Sequence, residues 1–236
     1  MAACLLALLG GHAQAQTSTK KAKPKAAASA APAKPPAAPC DVLADDPEDP
    51  FRTAAGVEIH LIDGAKAVSE CKAATEAAPD DGRLRYALSR ALQKAGDDQG
   101  AIDALQRAAE RGYPIAENMV GMLYLQQARQ PQTAAQWIQK SADHGYLPAQ
   151  TVLGSFYHQG VGVPQDTQQA LAWYRKAADQ GYPPALASLG VMYHNGEAGL
   201  PVDDAKAADY LKQAADLGFA PARPLLAALQ QGPQGK

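Results

Sequence analysis

Two histidines, His158 and His194, stand 36 residues apart, and each directly follows a tyrosine in a similar local sequence. Imidazoles at matching places on neighbouring helices could share a metal ion or respond to pH near neutrality. No third ligand lies at helical spacing from either. The alternative is that both are polar residues of a surface groove, and no metal site is expected. His60 and His144 have no partner in the sequence. Serine, cysteine and histidine never fall in a nucleophile motif such as G-x-S-x-G. Gly160-Val161-Gly162 precedes a helical stretch but lacks the preceding strand and the further glycine or lysine of a phosphate-binding loop, so it reads as a turn. The carboxylates sit mostly where helices begin or where solvent is expected, and no two of them stand out as an acid and base. The residues therefore predict no catalytic group, no cofactor and no enzyme.

Cysteines supply the other candidate chemistry. Residues 2–11 (AACLLALLGG) form a short apolar run followed by Ala13-Gln14-Ala15, a small-residue pattern that signal peptidase accepts, which predicts a signal peptide over 1–15. The run is too short to span a bilayer. Cys4 would leave with it, and the mature chain would keep Cys40 and Cys71, an even pair suited to the oxidising space of the periplasm or the cell exterior. A bridge would pin residues 40–62 onto the first long helix, worth roughly 3 to 4 kcal/mol by loop-closure entropy. The competing reading makes Cys71 a free thiol at a helix packing position.

The elements that must position these residues are helical. Aromatic residues make up 6% and alanine is abundant, which favours close-packed helices over sheet. Residues 16–39 hold Ala, Pro, Lys and Ser with no large apolar side chain, and are expected to form a disordered linker. The far end, 231–236, is expected to fray. Five lysines and no acid precede residue 40, leaving 17 basic against 24 acidic side chains beyond it, a balance of −7 that offers nucleic acid no footprint.

Self-similarity decides the architecture. Ala108–Tyr113, Ser141–Tyr146, Ala177–Tyr182 and Ala214–Phe219 are variants of one segment, with glycines 33, 36 and 37 residues apart. From an alanine in each second helix to a small residue in the next first helix (Ala101 to Gly121, Ala134 to Gly154, Ala170 to Gly190, Ala207 to Ala227) the step is always 20 residues. The turn inside each unit varies instead, from 12 residues (Ser89 to Ala101) through 13 and 16 to 17 (Gly190 to Ala207). Packing between units is thus held in register while loops absorb the insertions. Ala170, Trp173, Tyr174, Ala177 and Ala178 form the stripe of an amphipathic helix. Asp166 stands as its N-cap, Asp97 and Asp203 occupy the same place relative to Ala101 and Ala207, and the glycine after each second helix closes it. Gly121, Gly154 and Gly190 are expected to face the second helix of their own hairpin, with Tyr124, Tyr157 and Tyr193 packing between helices.

Leu153-Gly154, Tyr157, Gly160-Val161-Gly162-Val163, Asp166, Ala170, Trp173-Tyr174-Arg175-Lys176-Ala177-Ala178 and Gly181 together resemble one full Sel-one-like repeat of the tetratricopeptide superfamily, of the exported bacterial type. Leu189-Gly190, Tyr193, Gly196, Asp203, Ala207, Tyr210 and Gly218 follow the same pattern. The unit before them is degenerate, without the glycine-valine turn, and the first resembles an ordinary tetratricopeptide repeat. The resemblance covers about 63–230. It implies an all-α, right-handed solenoid of antiparallel helix pairs that serves as a non-catalytic scaffold of the bacterial envelope, binding a peptide or partner protein in a concave groove. By that resemblance the groove is lined by Tyr86, Arg90 and Gln93, then Asn118, Met122 and Leu125, then Thr151, Ser155 and His158, then Val191 and His194. The alternative it carries is a cell-wall enzyme or a peptidoglycan- or β-lactam-binding protein, but relatives linked to that role have a cysteine pair in every repeat, and this chain does not.

Overall fold

The computed structural model describes residues 39–231, apart from positions 48, 53 and 128. The segments read as signal peptide, linker and most of the tail lie outside the described residues. Within them the chain is all helical, without a strand. A short helix α1 (Pro39–Ala44) and a 3-10 turn (Ile59–Leu61) open residues 40–62, expected to be irregular, and α2 (Gly64–Ala77) follows. Four helical hairpins come next: α3 (Gly82–Ala95) with α4 (Asp98–Glu110), α5 (Pro114–Gln126) with α6 (Pro131–Asp143), α7 (Leu147–Gln159) with α8 (Thr167–Ala178), and α9 (Pro183–Asn195) with α10 (Asp204–Asp216). Helix α11 (Ala222–Gln231) closes the series. From α2 onward each helix packs against its neighbours in sequence, the arrangement of a solenoid.

The helices begin and end where local chemistry requires. Asp63, Asp81, Asp97, Asp166 and Asp203 accept hydrogen bonds from backbone N–H groups in the first turns of α2, α3, α4, α8 and α10. Helices α5, α7 and α9 instead start with proline in the first turn, after Tyr113, Tyr146 and Tyr182. At the end of each second helix a glycine adopts positive φ, as at Gly145 (φ 88°), and the following N–H turns back to a carbonyl five residues earlier, Tyr146 to Ser141. That motif reverses the chain and feeds the next first helix in the same register every time.

Small residues let the paired helices approach. A methyl group added at Gly154 would lie 2.7 Å from Tyr174 Cε1, one at Gly121 2.9 Å from Ile138 Cδ1, and one at Gly190 2.8 Å from Leu211 Cγ. Each glycine faces the second helix of its own hairpin, as its spacing predicts. Ala134, Ala142, Ala149, Ala170, Ala177 and Ala185 are fully buried between helices, and Tyr193 stacks on Tyr210 with centroids 5.6 Å apart.

Candidate functional site

Sequence reasoning points to one face of the first helices, and the structure divides that face into three regions. At the N-terminal end it is covered by the chain itself. Cys40 and Cys71 are joined in a disulfide with Cα atoms 4.6 Å apart, which fastens α1 to α2. From there Asp41, Ala44, Asp46, Asp49 and Val57 make polar contacts with α3 and the start of α5. The Arg83 guanidinium meets the buried Asp41 carboxylate. Tyr86 donates its hydroxyl to Asp46 Oδ2 at 2.8 Å. Arg90 donates to the carbonyls of Ala44 and Val57, both at 2.8 Å. Tyr113 donates to the buried Asp49, whose other oxygen accepts from the Phe51 N–H at 2.6 Å.

Tyr86 and Arg90, expected to line an open groove, are therefore only 5% and 7% exposed. A guanidinium with two carbonyl acceptors and a tyrosine with a carboxylate acceptor form a ready cradle for a polar chain, and residues 44–57 occupy it first. Burial pushes the Asp49 carboxyl up to about 6, opposed by the Phe51 N–H and reinforced by Asp45 and Asp46. Burial likewise raises the Tyr86 phenol.

The second region is open. Gln93, Asn118 and Met122, three of the residues expected to contact a partner, line a groove of about 500 Å³ between α3, α4 and α5. Ser89, Ile102, Met119 and Leu123 share its lining. The Asn118 Oδ1 atom is buried and accepts no hydrogen bond. Leu125 is half-buried against the cluster of α6 and α7 and does not line this groove.

The third region runs over α7 and α9. Thr151 is buried, its hydroxyl bonded to the Leu147 carbonyl at 3.2 Å, so it faces its own helix. Ser155 is half-buried and bonds the Tyr174 hydroxyl at 3.0 Å. His158 and His194 do not share a ligand: His158 Nε2 pairs with Glu197, from the turn of the next unit, and His194 Nδ1 with Asp204 at 2.5 Å. Val191 is half-buried and His194 exposed. Among the described residues no three His, Cys, Asp or Glu side chains come together as metal ligands.

One pairing escaped the sequence. His144, the C-cap of α6, holds its Nδ1 2.7 Å from the buried carboxylate of Glu117 on α5. Burial raises the Glu117 carboxyl while His144 pulls it down. The only available signal was an acid inside the apolar first turn of α5, which needs a partner once buried.

Comparison with known families places three matches to the Sel1 repeat at residues 114–146, 147–182 and 183–219, coinciding with the hairpins α5/α6, α7/α8 and α9/α10. A Sel1 repeat protein from Oxalobacter formigenes is similar in structure, with 29% identity and a TM-score of 0.62 over 73% of this chain and 74% of that one. So is c5321, described as a protective antigen of uropathogenic Escherichia coli strains with an SLR fold, at 30% identity and a TM-score of 0.58. That match covers 64% of this chain and 33% of c5321, so the chain spans about a third of its length. Pseudomonas aeruginosa PA5086, 19% identical with a TM-score of 0.50 over 83% of this chain and 74% of that one, shares the fold alone. Among curated proteins none matches.

Proposed function

With residues 114–219 folded as three Sel1 repeats, a fold that commonly mediates protein–protein interaction, we propose that this chain is a non-catalytic scaffold that binds a peptide or partner protein along its first helices. The supporting observation is the open groove between α3, α4 and α5. It combines apolar side chains with the polar Gln93 and Asn118. A groove of that mixed character suits an extended peptide or a partner helix. From there the binding face continues through Met122 and Ser155 to His158, Val191 and His194.

The place of action is the bacterial envelope, periplasmic or secreted. Support comes from the Cys40–Cys71 bridge, which suits an oxidising compartment, together with the signal-like pattern of residues 1–15. A photocrosslinking residue placed in turn at Gln93, Met122 and Ser155 in intact cells should trap one recurring partner. The same residue at Gln136 or Lys176, exposed on second helices, should trap none. Adducts only from the second helices would overturn the proposal. So would an unchanged partner set after Gln93, Asn118 and His158 are all replaced by alanine.

A further inference from the structure

In two hairpins of this chain the turn between the helices lies against the second helix of the preceding unit. Gly162, in the turn between α7 and α8, lies against Pro131 and Ala135 at the start of α6; an added methyl would meet the Pro131 carbonyl oxygen at 2.0 Å and the Ala135 methyl at 3.1 Å. Val161 and Val163 on either side pack into the same cluster, and Ala135 is 3% exposed. One unit further on, Ala198 and Leu200 pack into the cluster that contains Leu171, near the start of α8. Gln168 donates to the Ala198 carbonyl at 2.6 Å, and Leu171 is 4% exposed. Twice, then, a short turn of small or branched apolar residues around a glycine seals the N-terminal end of a second helix.

The unit containing α5 and α6 has no such turn. Four residues, 127–130, join its helices, against seven in 160–166 and eight in 196–203. Where the longer turns leave their helix through left-handed Gly160 and Gly196, Gln127 stays right-handed at φ −92° and ψ −48°. Of its described residues, Gln127 lies beside Ile102 of α4, and residues 127–130 carry no glycine-centred apolar turn there. Ile102, which by its place one residue after Ala101 corresponds to Ala135 and Leu171, is 41% exposed, and Met119, which shares its groove, 40%. Both lie on the open groove, whose lining carries one charge, the Asp98 carboxylate, and no cation. Asp98 stands where Pro131 lies against Gly162 one hairpin later.

We infer that this notch at the start of α4 is the docking point for a short apolar turn of a partner protein, two small or branched residues around a glycine with a lysine or arginine beside them, standing in for the turn that α5/α6 lacks. This deepens the scaffold reading and rests on it. The geometry of the occupant comes from Val161-Gly162-Val163 and Ala198-Gly199-Leu200, which fill the equivalent places. Its charge comes from Asp98, an anion in a lining that offers it no counter-charge.

The test uses the full chain with methyl-labelled isoleucine and methionine, titrated with a synthetic peptide of sequence Lys-Gly-Val-Gly-Val-Pro. The Ile102 and Met119 methyl signals should shift saturably. Ile102→Lys, at a half-exposed position, should weaken binding at least about ten-fold by removing the apolar contact, and a peptide with glutamate for lysine should bind more weakly. A variant whose residues 127–130 are replaced by the sequence of 160–166 should keep its helicity and lose the peptide, having filled its own notch. Unmoved methyls at millimolar peptide, equal binding by I102K, indifference to the peptide's charge, or undiminished binding by the grafted variant would each overturn the inference. If I102K keeps the partner crosslinked from Met122 and Ser155, the notch falls and the scaffold stands. If those crosslinks fail while the peptide binds, the scaffold reading fails instead.

Discussion

Opening the Cys40–Cys71 bridge should loosen one end of the solenoid and leave the other unchanged. The bridge spans a sequence separation of 31, and closing a loop of that size in the unfolded chain is worth roughly 3 to 4 kcal/mol at room temperature. In a repeat protein stability is passed between nearest neighbours, so this loss is felt where α1 and residues 41–57 meet α2 and α3. Hydrogen exchange followed by mass spectrometry, on the oxidised chain and on the Cys40→Ser/Cys71→Ser variant, reads it directly. At about 1.4 kcal/mol per ten-fold, amides in α3 should exchange on the order of a hundred-fold faster or more. Those of α8 to α10 should keep their rates. A change in α3 below about three-fold would mean that the contacts of Arg83, Tyr86, Arg90 and Tyr113 hold the segment without the bridge. Equal acceleration in every helix would refute the nearest-neighbour reasoning.

Three further outcomes follow from single side chains. Gly154→Ala gains about 1 kcal/mol of helix propensity but drives a methyl against the Tyr174 ring, so overpacking should win and lower the denaturation midpoint by about 1 to 2 kcal/mol of stability. Asp166→Ala removes the acceptor for the N–H groups of Gln168 and Gln169 and should cost about 1 kcal/mol by the same measurement. Asp49 has its folded pKa raised from 3.8 to about 6, so its neutral form is the one folding favours. The stabilisation is fully present below the unfolded value and is lost as pH rises through about 6, a difference of about 1 kcal/mol between pH 5 and 7.5. Exchange protection of the amides between 41 and 57, taken relative to the intrinsic rate at each pH, should therefore be greater at the lower pH, and Asp49→Asn should flatten that dependence; a dependence of the protection that survives in the variant would assign it to another group.

The repeat architecture was legible because it rests on local rules. Asp97, Asp166 and Asp203 cap the helices their spacing indicates, and the glycine series faces the helices it was expected to face. What was not legible depends on contacts between distant segments. Tyr86 and Asp46 are 40 residues apart, and nothing local marks Asp46 as its acceptor. The aspartates of residues 41–49 read as solvent-facing, and only the fold brings them beneath two arginines and two tyrosines. The short turn after α5 was visible as a length, 13 residues against 16 and 17, but length alone speaks of tolerance to insertion. Its consequence at Ile102 appears only when the neighbouring turns are seen lying on Ala135 and Leu171.

Invariant register and variable turns together account for where the proposed binding groove lies. The fixed 20-residue step carries each second helix onto the next first helix with the same packing, so the scaffold offers every unit the same surface in principle. Loop length costs little in closure entropy, and turns can therefore change without disturbing that packing. Each turn determines whether the preceding second helix is covered. Turns 160–166 and 196–203 are long enough to seal α6 and α8. Around α3 the chain's own aspartates and carbonyls occupy the polar cradle of Tyr86 and Arg90. Between these closed regions the start of α4 borders a groove that apolar side chains share with Gln93, Asn118 and the Asp98 carboxylate. The proposed recognition therefore falls at the junction of the first two hairpins, where the inferred partner would supply the covering turn.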